Sequence, residues 1–139
     1  QPAERGGVGQ QAGLQAPAVA ALQQVRQALA LAQRSGDVYL GAGARAALGL
    51  LELTLGRPPE AAEILLEITA PDRTDLTYVA TVGPAIDAIE AIVRGGLPHE
   101  QAEAPLQLLR DWAQHAPIDV NRSLLARSEA LLATRDTEK

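Results

Sequence analysis

Three short stretches carry residue types that could do chemistry. His99-Glu100-Gln101-Ala102-Glu103 places a histidine and a carboxylate four apart. On a helix that spacing puts both side chains on one face, where they could share a metal. The H-E-x-x-H protease pattern wants a second histidine where Glu103 stands. The other histidine, His115, is sixteen residues beyond His99. No third ligand is evident, so we read this stretch as a solvated first helical turn whose acids suit the helix dipole. Gly41-Ala42-Gly43-Ala44-Arg45-Ala46 has the outline of a dinucleotide loop. That loop follows a strand and needs an acidic residue on a second strand about twenty residues later. Only Val38-Tyr39-Leu40 precedes it, and Glu60 and Glu63 lie in a helical pattern. We read its glycines as points of close helix packing. Glu60, Glu63 and Glu67 follow steps of three and four. A general acid/base pair needs two carboxylates in separated environments, whereas these share one stripe and read as a solubilising face. No catalytic set converges, and no enzyme activity, metal or cofactor is expected.

Composition narrows the classes further. The chain has 139 residues, enough for one domain with its own core. It has no Cys, which excludes disulfides and thiolate metal sites and fits a reducing, cytoplasmic setting. Net charge is −5, the only Lys is Lys139, and the arginines are scattered. Nucleic-acid backbone binding draws on clustered cations, and base stacking on aromatics; aromatics are 2% here. Direct nucleic-acid contact is not expected. Val38 to Leu55 approaches the length of a membrane span, but Arg45 and Glu52 would lie inside it. No membrane role is expected. There is no Met at all, so the chain reads as processed or as part of something longer.

The elements that would position any site are helical. Residues 1–16, rich in Gly and Gln and without an apolar signal core, read as a flexible lead-in. A single helical domain is expected over 17–134, and a polar tail over 135–139. Ala18, Leu22, Val25, Leu29 and Ala32 recur at steps of three and four, one face of a helix begun by Pro17. Gly36 suits a left-handed helix end, and Asp37 a cap for the next helix. That helix, about 38–55, is apolar nearly all round, with Leu40, Ala44, Ala47, Leu48, Leu51 and Leu55 as its main stripe. It must be covered on more than one side. The third helix runs from Pro58 to about Ile68 and buries Ala61, Ile64, Leu65 and Ile68. Gly83-Pro84 predicts a break between a short helix ending at Val82 and another over 84–94. A helix from Pro98 to His115 follows, with a bend at Pro105 and a stripe of Leu106, Leu109, Trp112 and Ala113. Asp119 would cap the last helix, 120–133. No period-two alternation occurs, so the chain is all-α with short antiparallel connections.

Gly56-Arg57-Pro58-Pro59-Glu60-Ala61-Ala62 and Gly96-Leu97-Pro98-His99-Glu100-Gln101-Ala102 share Gly, Pro, Glu and Ala at the same offsets, forty residues apart. The same turn is used twice, and a period of that length indicates a helical solenoid. Leu48-Gly49, Gly56, Ala61 and Leu65 resemble the core of a tetratricopeptide repeat (TPR), with Arg45 and Glu52 in place of its aromatics. The resemblance implies a right-handed α-α superhelix of TPR-like hairpins. Its peptide-carboxylate clamp would use the positions of Ala46, Leu50 and Thr54, none of them Lys or Asn. Any groove there is apolar, suited to a small organic ligand or an apolar helix. Tyr39, Tyr78 and Trp112 are the only aromatic anchors.

A wider run, from about Ala28 to Ala133, resembles the helical region of large LuxR-type, MalT-like ATP-binding regulators. Gly49, Glu52, Gly56, Arg57, Pro58, Glu60 and Ala61 carry one half of the match. Arg94, Gly96, Trp112, Ala113, Arg127 and Ala130 to Ala133 carry the other. The resemblance implies a sensor or scaffold segment that holds a protein partner or a small-molecule inducer. The ATPase and helix-turn-helix modules would lie elsewhere, since this chain has no P-loop motif. The alternative is a free-standing TPR-like adaptor. In the last helix, Leu124, Leu125, Leu131 and Leu132 have no following helix to cover them. An uncovered apolar stripe predicts homodimerisation through that end.

Overall fold

The computed structural model describes residues 2–137, with side chains described over 16–134. Six α-helices follow one another: α1 (Pro2–Ser35), α2 (Val38–Thr54), α3 (Pro58–Ile68), α4 (Tyr78–Gly95), α5 (Glu103–His115) and α6 (Asp119–Thr137). A 3-10 turn, His99–Ala102, leads into α5. No strand occurs among the described residues.

Helix ends follow the chemistry of their residues. Gly36, Gly56 and Gly96 all take positive φ, near +70°. At each, the next residue's N–H bonds a carbonyl five residues back: Asp37 to Ala32, Arg57 to Glu52 and Leu97 to Ile92. This closure satisfies carbonyls that the ending helix leaves orphaned. Asp37 caps α2, its Oδ1 accepting from the Leu40 N–H at 2.9 Å. Pro58 opens α3 where a missing N–H costs nothing. Pro105 lies in the first turn of α5, where a missing N–H also costs little.

Three expected boundaries differ. α1 begins at Pro2 and runs through Pro17, so most of the expected lead-in is helical. Ala12, Leu14, Gln15 and Ala16, just before Pro17, are strong helix formers. α4 is not broken at Gly83-Pro84. Gly83 has no Cβ to meet the proline ring, and Pro84 is buried in the packed face of the helix. α6 extends to Thr137; Asp119 is its first residue and not its cap, and residues 138–139 lie outside the described chain.

Consecutive helices are antiparallel, as their cross-contacts require. A Cβ on Gly41, early in α2, would sit 3.8 Å from the Ala32 Cβ, late in α1. Arg45 of α2 lies 3.8 Å from Glu67 at the end of α3. A Cβ on Gly95 would sit 3.4 Å from Pro58, so the two similar turns stack on each other. Each helix packs on the next, and α2 also packs on α4, and α4 on α6. The core includes Leu53, Leu65, Ile68, Ala88, Ile89, Ile92 and Leu109. Gly49 is the closest approach: a Cβ there would meet Leu65 Cγ at 2.5 Å.

α2 is covered by α1, α3 and α4, and of its expected stripe Ala44 is buried and Leu48, Leu51 and Leu55 are half-buried. It buries Gly41, Ala42, Ala44, Gly49, Glu52 and Leu53, while Leu40 and Ala47 stay exposed. An all-round apolar helix has no unique phase. Neighbours settled on its small residues, where backbones approach most closely. Gly43 takes no part in this: open space surrounds its Cβ position.

Candidate functional site

The expected groove residues fall in two places. Tyr39, Ala46, Leu50 and Thr54 lie along α2. Tyr39 is 52% and Leu50 50% exposed; Thr54 is exposed and Ala46 half-buried. Together with exposed Gly43 and Ala47 they leave an apolar strip on the surface. The Thr54 hydroxyl donates to the Leu50 carbonyl at 2.8 Å, so its proton serves its own helix.

Tyr78, the first residue of α4, belongs to a separate cleft between the 69–77 loop and α5. The cleft has a volume of about 270 Å³, and Thr69, Arg73, Gln107, Leu108 and Asp111 line it with Tyr78. None of the α2 residues contributes to it. The Tyr78 ring lies 5.6 Å from that of His115, tilted by 44°. Trp112, half-buried on α5, does not line the cleft.

The cleft's polar groups are held by one another. Arg73 donates from Nε to Asp75 Oδ1 at 2.9 Å and from a terminal nitrogen to Oδ2 at 3.2 Å. This fork holds the Asp75 carboxyl below the usual range and raises the guanidinium further. Gln107 donates to Asp111 Oδ1 at 2.8 Å, and His115 Nδ1 lies 2.8 Å from the Asp111 carbonyl. Such a site presents amide, carboxylate and guanidinium groups around an apolar floor. Sequence reading missed Arg73, Gln107 and Asp111; the signal was an arginine flanked by Asp72 and Asp75 in a turn-rich loop.

The chain matches no family description, no curated protein and no solved structure.

Glu52 and Arg57 have a physical role. The Glu52 side chain is only 7% exposed, and its Oε2 lies 2.8 Å from Arg57 Nε. The N–H does not point along that line, so the contact is an ion pair and not a hydrogen bond. With the Arg57 N–H on the Glu52 carbonyl, the pair ties the end of α2 to the turn before α3. His99 and Glu103 fall in the 3-10 turn and at the start of α5, not on one regular helical face. No helix among the described residues is long and apolar enough to cross a membrane.

The leucines expected to be free on the last helix are not. Leu125 and Leu132 pack against the core, and Leu124 and Leu131 are half-buried. α4 and α5 both pack on α6.

Proposed function

We propose that this chain is a non-catalytic sensor or scaffold segment of a cytoplasmic, ATP-dependent LuxR-type transcriptional regulator. In this reading its hairpins stack as a right-handed, TPR-like superhelix. One observation carries it: the left-handed glycines Gly36, Gly56 and Gly96 stand twenty and forty residues apart with the same closure. The turns at Gly56 and Gly96 recur at a forty-residue spacing, as a solenoid would use them. The packing of α2 on α4 and of α4 on α6 has the order of stacked hairpins. The motif shared with the regulators falls on this turn, with Glu52 and Arg57 paired across it. A protein partner would engage the α2 strip at Tyr39 and Leu50. A small-molecule inducer would sit in the cleft beside Tyr78.

The test is the intact mass of the native polypeptide, captured from its source with an antibody raised against this chain. A product several times larger than 14.6 kDa, with a P-loop and a helix-turn-helix in its remaining sequence, supports the regulator. A native product of about this mass overturns it in favour of a free-standing adaptor.

A further inference from the structure

α3 and α5 both pack on α4 but scarcely on each other. As alternate members of an antiparallel series they run parallel, and a groove, the α3–α5 groove, runs from α3 over the 97–101 segment to the face of α5. One stretch, of about 540 Å³, has Ala62 and Leu66 of α3 on one wall and Leu97 and Gln101 on the other. At Gln101 it meets a second stretch, of about 580 Å³, lined by Pro71, Ala104 and Leu106 among others. Leu66, Leu97 and Leu106, each half-buried, give the groove apolar surface.

The rim carries carboxylates. Glu63 and Glu67 stand on the α3 side, Glu100 and Glu103 on the other. Glu63, Glu100 and Glu103 are exposed and have no ion-pair partner among the described residues. Glu67 is 3.8 Å from Arg45 and mostly exposed. Arg110, the one cation lining these two stretches, is drawn 3.6 Å from Glu129 on α6. A trough whose rim carries four carboxylates and one cation already drawn to Glu129 favours one class of occupant. An acidic segment or a phosphate backbone would meet like charge, and a second copy of this chain brings a net charge of −5.

We propose that the α3–α5 groove docks a basic amphipathic helix of a protein partner. Its apolar face would lie on Leu66, Leu97 and Leu106. Its Lys or Arg side chains would flank the rim at Glu63, Glu67, Glu100 and Glu103. This surface is distinct from the α2 strip, and the proposal does not rest on the regulator reading.

The probe is a fluorescein-labelled helical peptide of about fourteen residues, some 21 Å long, with Leu on one face and Lys and Arg on the other. Fluorescence anisotropy against the full chain should show saturable binding that weakens as salt screens the rim. Glu63→Gln and Glu100→Gln should each weaken binding about three- to tenfold. Asp119→Asn removes the same charge from exposed α6 and should leave affinity unchanged. All three positions are exposed, and circular dichroism checks that each variant folds. The proposal is overturned if the peptide does not bind, or if an analogue with Glu for Lys and Arg binds equally. Equal binding by a Leu→Ser analogue also overturns it, since charge alone would then suffice. So does equal weakening by Asp119→Asn, or self-association of the chain that Glu63→Gln abolishes.

Discussion

Two glycines in α2 have opposite predicted responses to the same substitution. Gly49→Ala would drive a methyl to 2.5 Å from Leu65 Cγ, and Leu65 is fully buried with no room to withdraw. Overpacking outweighs the gain in helix propensity, and we expect a loss of about 1–2 kcal/mol. Gly43→Ala meets nothing within 4 Å and should stabilise by about 0.5–1 kcal/mol. Urea denaturation of both variants checks the signs; equal changes would mean that close packing at Gly49 does not matter. Glu52 and Arg57 make a second residue-level case. Arg57→Ala strands a carboxylate that is 7% exposed. Because Arg57 itself is half-exposed, the expected cost is discounted to about 1–2 kcal/mol. The double change with Glu52→Leu should recover part of that loss, and a double-mutant cycle measures the coupling.

At the scale of the element, the leucines of α6 tie a helix to its own domain. Leu125 and Leu132 pack against the core, so Leu125→Glu with Leu132→Glu should bury charge and release α6. The expected outcome is lost helicity and a stability loss above about 3 kcal/mol, followed by circular dichroism through a urea titration. A variant that keeps wild-type stability and only changes mass in light scattering would restore the dimer expected from sequence. The prolines show the same dependence on surroundings. Pro105 sits in a first turn and Pro84 in the buried middle of α4. Only their places in the elements separate a tolerated start from an interruption that packing must offset.

For the whole molecule, pH acts through opposed carboxylates. Burial pushes Asp87 up, Glu90 adds to this and Arg127 opposes it. A raised carboxyl stabilises the fold fully below the unfolded pKa, and that contribution is lost as pH rises through the folded value. Asp87→Asn should therefore raise Tm near pH 7, and the difference should vanish below about pH 4, where Asp is protonated in the unfolded chain as well. Asp75 has the opposite sign, its contribution present above the unfolded pKa and lost as pH falls through the folded one. Its exposure keeps that effect small. Scanning calorimetry across pH 3 to about 8 tests both. The α2 strip gives a further contrast. Tyr39→Ser with Leu50→Ser changes side chains already half in water. Stability should therefore shift by no more than about 0.5 kcal/mol per site, while any partner held there is lost.

Local chemistry was legible in the order of residues. The all-α class, the glycine closures at 36, 56 and 96, the Asp37 cap and the buried stripe of α3 all follow from short-range rules. Such rules involve residues within about one helical turn, and the chain carries them explicitly. What a helix buries when nearly every residue is apolar was not legible. The phase of α2 was decided by which small residues let α1, α3 and α4 approach: the expected stripe kept Ala44, with Leu48, Leu51 and Leu55 half-buried, but its Leu40 and Ala47 stay exposed while Gly41, Ala42 and Gly49 are buried. The Tyr78 cleft also required the fold. Its walls come from the 69–77 loop and from α5, some thirty residues further on. No local pattern encodes that meeting, because it arises when α5 packs back along α4. For the same reason, the acids of α3 read from sequence as a solvated face, and only their placement opposite Glu100 and Glu103 makes them the rim of a groove.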